Sequence, residues 1–384
     1  MIFEFVKHLI KNRRIPDRAF ALFSAVMLLA SCGGISPESE TALVMDTVFT
    51  VTVYGGSAMP AELIGAAEAL DEKVLSRFSE DSLLSGYSES RTRLENDEQY
   101  DVAYDASENL SDSETAGWTE EISGITIDLE DILKKCDELN TSSCGAFDIS
   151  IGALSDLWDI KGNMEADHPS IPMPAQVEAA SGDRSVMDLG AVGKGIYLDL
   201  AYEMLASSGA KGAVISAGGS ILVYGEKPDG ADFKVGIKNP FPDGDGTSYG
   251  IIITKGGYFI STSGSYERYF EYGGEIYHHI IDPVSGYPAW TEDDILNRER
   301  IPPELRSSQP VIPESVPVSV TVISRSGFYS DALSTACFVL GPEQGMMLAE
   351  RYDSEVIYIM SDGKVIASHG IICDEGSREY RLSE

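Results

Sequence analysis

The chain has 384 residues, of which 43% are hydrophobic and 23% are charged, so it is long enough for one large catalytic domain or two smaller ones. Lys and Arg number 28 against 62 Asp and Glu, which gives a formal net charge of −34 at pH 7. This balance argues against nucleic-acid binding, because no basic stripe is present to displace the counterions of phosphates. An anionic ligand would have to be held by local donors or by a metal ion.

The first 31 residues have the composition of an export signal. Basic residues precede an apolar segment, residues 19–30, which is too short for an ordinary membrane span. The segment ends in Leu29-Ala30-Ser31-Cys32, which resembles the lipobox of bacterial lipoproteins. We expect cleavage before Cys32 and lipidation of that cysteine, with an uncleaved anchor as the less favoured alternative. Either way, the protein is expected on the extracytoplasmic face of a bacterial cell membrane.

Local patterns predict the order of elements after the signal. Residues 32–44 are predicted to be the lipidated cysteine and a polar tether, and residues 45–384 a single catalytic domain. A strand is predicted at 48–54, whereas the acidic, serine-rich stretch 80–121 is expected to have little fixed structure. The proline-rich stretch 289–317 is predicted to be a surface excursion, because strand-like sequence resumes directly after it. The spacing of apolar residues predicts helices at 60–77, 129–140 and 152–158.

A glycine-rich turn is predicted between a strand and a helix at residues 186–205. Asp188 ends the strand, glycines occupy positions 190, 193 and 195, and a helix begins near Lys194. Free backbone N–H groups and Lys194 at such a helix start are able to hold a phosphate. The spacing G-x-x-G-x-G is neither the dinucleotide pattern nor a P-loop, so this segment taken alone favours a purely structural turn.

A hairpin rich in polar residues is predicted between Tyr258 and Pro288. Its first strand ends at Thr262, and Gly273-Gly274 form a turn before the chain resumes a β pattern. Alternation along the second strand sends His278 and His279 to opposite faces, and His278 is predicted to face solvent. Polar groups on turns of a rigid sheet are a common way to build a small-molecule site.

Asp331 and Thr335 form a candidate metal site. They lie four residues apart in a predicted helix that Asp331 opens, so both oxygens project from one face. A carboxylate and a hydroxyl suit Mg²⁺. The alternative is that Asp331 only caps the helix.

The cysteines carry little information. Beyond Cys32, the chain has Cys136, Cys144, Cys337 and Cys373, without a C-x-x-C pair or zinc-like spacing. Cys337 falls in an apolar helix and is predicted to be part of the core. A disulfide is compatible with the expected location, but the spacing assigns none.

The order of these motifs resembles the ApbE family of flavin transferases, which move FMN from FAD onto a threonine of a partner protein. The likeness covers nearly the whole chain after the predicted signal, and seven segments in the correct order make coincidence improbable. The resemblance implies an α+β fold, with mixed β-sheets flanked by helices in a two-lobed, T-fold-like catalytic domain. The matching segments are Met45-Asp46-Thr47, Gly145–Asp148, Asp188–Gly195 with Asp199, Gly218-Gly219, Thr262–Gly264, His279–Pro283, and Ser319–Thr321 followed by Asp331 and Thr335.

The resemblance also implies roles for individual residues. The metal ligands would be Asp331, Thr335 and the backbone carbonyl of Ala191. Lys194 would assist Mg²⁺ at the FAD diphosphate, and Asp331 and His279 are both candidates for the general base. Contacts to FAD would fall on Met45, Phe78, Ala146, Phe147, Asp148, Asp188, Lys194, Thr262, His279 and Ile280.

Three functions follow as expectations. The first is Mg²⁺-dependent transfer of FMN from FAD to a threonine of an exported acceptor, such as a subunit of a membrane redox complex, with release of AMP. The second is hydrolysis of FAD to FMN and AMP, and the third is flavin binding without catalysis. The resemblance implies no transfer to the chain itself, because Asp232 stands where the family's acceptor motif has Ser or Thr.

Overall fold

The computed structural model describes residues 37–96, 117–241, 248–297, 313–374 and 376–383. The predicted signal peptide, Cys32 and residues 298–312 of the proline-rich stretch lie outside these ranges. Within them, no helix combines the length and the apolar character that a membrane span requires.

Strands and helices alternate irregularly along the chain. The strands are β1 (Glu38–Val44), β2 (Thr47–Tyr54), β3 (Thr119–Ile122), β4 (Ile125–Asp128), β5 (Gly212–Ala217), β6 (Ser220–Gly225), β7 (Phe233–Lys238), β8 (Ser248–Thr254), β9 (Tyr258–Gly264), β10 (Tyr269–Tyr272), β11 (Glu275–His278), β12 (Pro317–Ser324), β13 (Glu355–Met360), β14 (Val365–Ala367), β15 (Ile371–Asp374) and β16 (Glu379–Leu382). The helices are α1 (Pro60–Leu70), which continues as a π-helical turn (Asp71–Leu75), α2 (Leu83–Asn96), α3 (Leu129–Ser142), α4 (Gly152–Trp158), α5 (Ile160–Glu165), α6 (Pro174–Gly182), α7 (Gly193–Ser208), α8 (Glu292–Asn297), α9 (Gly327–Leu340) and α10 (Pro342–Arg351).

The main sheet has eight strands in the order β1-β2-β5-β6-β9-β12-β13-β14. Every neighbouring pair in it is antiparallel. A four-stranded sheet, β15-β16-β8-β7, contains a parallel pair, β16 with β8. Two hairpins, β3-β4 and β10-β11, form small sheets of their own. The predicted α+β class, with sheets flanked by helices, is confirmed.

The main sheet is buried on both faces. On one face, α7 and α9 pack against it through the largest apolar cluster, which includes Phe49, Ile215 and Leu333. On the other face, a second cluster joins the main sheet to the four-stranded sheet, with Ile260 and Ile252 among its members. Alternating residues of a strand face opposite sides of a sheet, so each central strand supplies both clusters.

Several turns and polar residues meet at one end of the main sheet. The β1-β2 turn, Met45-Asp46, and the β5-β6 turn, Gly218-Gly219, lie at this end, since Gly218 N–H donates to Val48 O over 3.1 Å. Ser220, directly after the second turn, pairs with Ser261 of β9. The sheet register therefore gathers the loops of four strands beside the helices α7 and α9.

Two glycines allow α7 and α9 to touch backbone to backbone. A Cβ on Gly195 would lie 2.2 Å from Gly327 O, and a Cβ on Gly327 would lie 2.3 Å from Gly195 O. Asp199 of α7 closes the same contact, because its carboxylate accepts hydrogen bonds from the N–H groups of Gly327 at 2.6 Å and Phe328 at 2.8 Å. Burial raises the pKa of Asp199, and these hydrogen bonds oppose that effect. The two helices are thus held in one relative position.

Three local predictions were wrong. Residues 38–44 of the predicted tether form β1, whose side chains are mostly exposed because it is an edge strand with little apolar patterning. Residues 83–96 form α2 within a stretch that was expected to lack structure, and Leu84 anchors this helix in the core. Asp331 does not open α9, which starts four residues earlier with Ser326 as its N-cap.

Among the cysteines of the described ranges, Cys136, Cys144 and Cys337 are free thiols. Cys136 and Cys337 are buried, as predicted for Cys337, whereas Cys144 and Cys373 are exposed. Burial raises the pKa of Cys337 to about 12, so this thiol is expected to be unreactive.

Candidate active site

The Asp331 carboxylate lies where α7, α9 and the main sheet meet. It is 4% exposed. Its Oδ2 accepts a hydrogen bond from Gly195 N–H at 3.0 Å and lies 3.4 Å from Lys194 Nζ. Its Oδ1 accepts a hydrogen bond from the Ser220 hydroxyl at 2.8 Å. These contacts exclude the interpretation of Asp331 as a helix cap and make it the centre of a polar site.

The start of α7 leaves the Ala191 carbonyl open. In a regular helix, Gly195 N–H would donate to the carbonyl four residues earlier, which is that of Ala191. It donates to Asp331 instead, and the next N–H, of Ile196, donates to Val192 O at 2.9 Å. We find no donor to the Ala191 carbonyl among the described residues. The Ala191 carbonyl therefore remains available as a ligand at the start of the helix whose Gly195 N–H binds the Asp331 carboxylate.

The N–H groups at this helix start are less available than the sequence predicts. Gly193 N–H donates to Leu189 O at 2.8 Å, and Gly195 N–H is used by Asp331. The predicted phosphate cradle is thus largely occupied by the protein itself. The Lys194 side chain, about a quarter of which is exposed, is the stronger candidate for an anionic ligand.

Thr335 lies one turn after Asp331, on the same face of α9. Its Oγ1 lies 3.2 Å from Ser263 Oγ of β9, which in turn lies 2.8 Å from Ser334 Oγ. Thr335 is half-buried. The predicted pairing of a carboxylate and a hydroxyl on one helix face is therefore present, and β9 adds a third oxygen beside it.

Thr262 points away from this group. Its hydroxyl lies 2.9 Å from the hydroxyl of Thr321, the residue of β12 that pairs with it. Both hydroxyls are on the face of the sheet opposite to Ser263. Its backbone N–H donates to Gly219 O at 2.9 Å. Thr262 therefore contributes to the site through the backbone, by holding the Gly218-Gly219 turn.

His278 is buried, so its predicted exposure to solvent was wrong. Because a carbonyl only accepts, the ring Nε2–H donates to Ala289 O at 2.9 Å, and Nδ1 accepts from Ile280 N–H at 3.2 Å. This pattern leaves no site for a second proton. Burial lowers the pKa of His278 to about 4. The alternation of the two histidines was correct, but the sequence alone did not show which face is covered.

Of the two neighbouring histidines, His279 is the one that is exposed to solvent. Its backbone N–H donates to Arg268 O at 3.1 Å, and its Nδ1 lies 3.3 Å from the same oxygen. Neighbouring protein atoms reduce the hydration of the charged ring, and together with the charge of Arg268 they lower the pKa of His279 to about 3.

A second polar group surrounds Asp188 and Asp148. Their segments run side by side, since Asp188 N–H donates to Ile149 O at 2.7 Å. Asp148 forms an ion pair with Arg184 and accepts hydrogen bonds from the backbone and hydroxyl of Ser150. Asp188 accepts from Gly190 N–H at 2.8 Å, which supports the glycine turn. Both predicted FAD contacts are thus fixed in place by protein donors.

Phe78 is the most exposed of the large apolar side chains, at 81%. Arg77 lies over its ring, 4.6 Å from the centroid, and pairs with Asp156 at 2.7 Å and Asp188 at 3.7 Å. An aromatic ring that is held at the surface beside Asp188 is suited to stacking on a planar ligand.

The other predicted FAD contacts differ in how far they are buried. Met45 has a positive φ of 49° in the β1-β2 turn and is half-buried. Ala146 and Phe147 are 1% and 2% exposed, and Ile280 is 4% exposed, so their side chains belong to the core. The sequence could not show that these three residues are buried.

Ser220, Ser263 and Asp199 are the site residues that sequence reasoning did not assign. Ser220 contacts Asp331, which is 111 positions later, and Asp199 contacts Gly327, which is 128 positions later. Local sequence patterns do not predict contacts between residues that are more than 100 positions apart. The only signal was position, because Ser220 and Ser263 lie within or directly after the predicted motifs Gly218-Gly219 and Thr262–Gly264.

The residues present fit a hard divalent cation. Asp331, Thr335 and the Ala191 carbonyl offer three different oxygen ligands, and cations such as Mg²⁺ prefer oxygen and keep some of their waters. No cluster of three or more His, Cys, Asp or Glu side chains that could hold a metal is present in the described ranges. A set with a single carboxylate is compatible with that finding.

The chain is similar in sequence to a known protein family and to named proteins. The model of the ApbE family matches residues 45–293 and 306–360. The FAD:protein FMN transferase of Treponema pallidum (strain Nichols) is 28% identical over 383 residues, which cover 90% of this chain and 91% of the relative. That of Klebsiella pneumoniae (strain 342) is 32% identical over 240 residues, which cover 58% of this chain and 66% of the relative.

Solved structures show the same fold. The flavin transferase ApbE from Vibrio cholerae aligns with a TM-score of 0.62 at 22% identity, over 88% of this chain and 98% of that one. The ApbE protein from Thermotoga maritima also aligns with a TM-score of 0.62, at 23% identity, over 87% of this chain and 97% of that one. Because the family model matches well over half of its residues, the chain belongs to the ApbE family.

Proposed function

We propose that this protein transfers FMN from FAD to a threonine hydroxyl of an exported acceptor protein and releases AMP. The observation that carries the proposal is the buried Asp331 carboxylate, which contacts Gly195 N–H and Lys194 at the start of α7, with Thr335 one turn later on the same face of α9. Its relatives from Treponema pallidum and Klebsiella pneumoniae are named FAD:protein FMN transferases, which supports this assignment.

Asp331, Thr335 and the Ala191 carbonyl would hold Mg²⁺. When bound, the cation would neutralise negative charge on the FAD diphosphate as the bond to AMP breaks. Lys194 would bind a diphosphate oxygen, since its ammonium already lies 3.4 Å from Asp331 Oδ2 and is partly exposed. The acceptor oxygen would form a bond to the phosphorus of the FMN half, and AMP would leave with the bridging oxygen.

His279 is the better candidate for the proton acceptor. Both oxygens of Asp331 already accept hydrogen bonds, and a metal ligand is a poor base. His279 is exposed, and with Nδ1 turned to the Arg268 carbonyl, a neutral ring carries its lone pair on Nε2. A dianionic diphosphate beside the ring would raise the pKa of His279 toward the working range of a base.

FAD would be held between the two polar groups of the site. The exposed ring of Phe78 would stack on a planar part of FAD, with Asp188, Asp148 and the Met45 turn as further contacts. The diphosphate would lie at the start of α7, near Lys194 and His279. This arrangement uses the side chains that are accessible.

We further propose that Cys32 is lipidated and anchors the domain to the membrane. Five residues, 33–37, separate Cys32 from β1, and they span at most about 18 Å when fully extended. Glu38 pairs with Val53, whereas Val44 pairs with Thr47 beside the Met45-Asp46 turn. The chain therefore enters the main sheet at the end opposite to the site, which would face away from the membrane toward an exported acceptor.

The proposal is tested by incubating the protein with FAD, Mg²⁺ and a candidate exported acceptor. In-gel flavin fluorescence of the acceptor and the appearance of AMP are both expected. AMP without labelled acceptor would instead indicate FAD hydrolysis. FAD that stays bound and uncleaved would indicate a flavin-binding protein.

A further inference from the structure

We propose that Ser220 and Ser263 are positioning residues, which orient the Asp331 carboxylate and the Thr335 hydroxyl so that their lone pairs face a divalent cation. The inference rests on the proposed function only in its choice of these two ligands. Neither serine is expected to touch FAD or the acceptor.

Ser220 fixes the plane of the Asp331 carboxylate. Its side chain is 1% exposed, and its hydroxyl donates to Oδ1 at 2.8 Å. Gly195 N–H donates to the other oxygen, Oδ2, at 3.0 Å. With one donor on each oxygen, the carboxylate cannot turn about its Cβ–Cγ bond without breaking a buried hydrogen bond, which costs about 1–3 kcal/mol. Each oxygen keeps a second lone pair for a ligand.

Counting protons assigns a direction to the hydroxyl chain beside Thr335. Ser334 uses its single proton to donate to the backbone carbonyl of Asp331 at 2.8 Å. In the 2.8 Å contact between Ser263 and Ser334, Ser263 must therefore be the donor. Having used its proton, Ser263 can only accept in its 3.2 Å contact with Thr335.

Thr335 O–H consequently donates to Ser263, and its proton points toward β9. The chain runs from Thr335 to Ser263, to Ser334 and to the Asp331 carbonyl. A hydroxyl that binds a cation must present a lone pair and turn its proton away. Ser263 is thus the acceptor that keeps the Thr335 oxygen in the ligand orientation.

A matched control exists one turn earlier. Ser261 of β9 and Ser330 of α9 have hydroxyls 2.9 Å apart, and Ser330 donates to Gly327 O at 2.9 Å. Like Ser263 and Ser334, this pair joins a serine of β9 to a serine of α9 through their hydroxyls. Both residues are fully buried. It contacts neither the Asp331 carboxylate nor Thr335. Although Ser261 lies opposite Ser220 in the sheet, removing its hydroxyl measures the effect of losing a buried hydroxyl that has no hydrogen bond to either proposed ligand.

The test measures Mn²⁺ binding to the full chain in detergent, by the electron paramagnetic resonance signal of free Mn²⁺, with and without FAD. We expect Ser220→Ala and Ser263→Ala to raise the dissociation constant by about 10-fold or more, as changes to the residues that orient ligands do. Ser261→Ala is expected to stay within about twofold of the unchanged protein, and Ser263→Thr, which keeps the hydroxyl, to restore binding.

Thermal unfolding is measured on the same samples, and a similar decrease in Tm is expected for all three alanine variants. Equal loss of affinity in Ser261→Ala would overturn the proposal, because it would show a general effect of buried hydroxyls. Unchanged affinity in Ser220→Ala and Ser263→Ala, or no Mn²⁺ binding by the unchanged protein with FAD, would also overturn it. Since the assay contains no acceptor, a protein that binds the cation but transfers no FMN would contradict only the proposed function.

Discussion

The backbone N–H of Gly195 donates a hydrogen bond to Asp331 Oδ2 across 3.0 Å, and so joins the first turn of α7 to the second turn of α9. The bond has two effects. It places the carboxylate beside the start of α7, and it releases the Ala191 carbonyl from the helix. The Asp331 carboxylate is thereby held at the start of α7, the helix end that also carries the free Ala191 carbonyl.

Gly195→Ala tests the contact of the two helices. The new Cβ would lie 2.2 Å from Gly327 O, so the helices must separate. We expect the free energy of unfolding in urea to fall by about 1–3 kcal/mol, as for other overpacked sites, together with weaker Mn²⁺ binding. Gly65→Ala in α1 is the control, because nothing lies near its Cβ. It is expected to gain about 0.5–1 kcal/mol from helix propensity. An unchanged free energy of unfolding in Gly195→Ala would contradict the close contact between Gly195 and Gly327.

Lys194→Met tests whether Lys194 serves as the counter-ion of Asp331. Its ammonium lies 3.4 Å from Oδ2, so it competes with a bound cation for the same carboxylate. We expect this variant to bind Mn²⁺ at least as tightly as the unchanged protein, and to lose AMP release because the diphosphate lacks its partner. In the presence of EDTA, its unfolding temperature should be lower, and excess Mg²⁺ should restore it. Weaker Mn²⁺ binding would show that Lys194 supports the site in another way.

The stability of the protein should depend on pH through His278. The unfolded chain protonates this residue near pH 6.5, whereas in the folded protein its pKa is about 4. The unfolded state therefore binds more protons between these values, and stability falls as the pH decreases from about 6.5 to about 4, by at most about 1.4 kcal/mol per pH unit. His278→Gln should reduce this slope in urea unfolding, while His168→Gln, at an exposed position, should not. Equal slopes in all three proteins would contradict the buried neutral ring.

Phe78→Ala should weaken FAD binding without affecting the fold. The side chain is 81% exposed and packs on Arg77, so little stability depends on it. Loss of one aromatic stack is worth about 0.5–1.5 kcal/mol, which corresponds to roughly 2- to 12-fold in the dissociation constant. Quenching of flavin fluorescence measures this constant, and Met173→Ala, at another exposed apolar residue, is the control. The stacking role would be disproved by equal affinities of Phe78→Ala and the unchanged protein.

The family, the α+β class and many elements follow from the sequence because their signals are local. The α7 turn is marked by three glycines, and the helical spacing of Asp331 and Thr335 places both on one face. β1 was missed because an edge strand needs no apolar alternation. The roles of Ser220 and Asp199 depend on contacts over more than 100 positions, which only the sheet register and the crossing of α7 and α9 reveal.

The histidine pair shows the same limit. Alternation correctly sends His278 and His279 to opposite faces, but which face is covered depends on Ala289 and Phe338, which come later in the chain. The Ala289 carbonyl accepts from His278, and the Phe338 ring packs edge-on against it at 5.5 Å. This cover leaves His279 as the member of the pair that is exposed to solvent.

The most direct measurement compares FMN transfer by the unchanged protein and by Asp331→Ala, with FAD, a range of Mg²⁺ concentrations and an acceptor protein present. Flavin fluorescence of the acceptor and released AMP are followed in the same reaction. The unchanged protein should release one AMP for each FMN attached, only when Mg²⁺ is present, and Asp331→Ala should do neither at any Mg²⁺ concentration. Full Mg²⁺-dependent transfer by Asp331→Ala would contradict the cation site at the contact of α7 and α9.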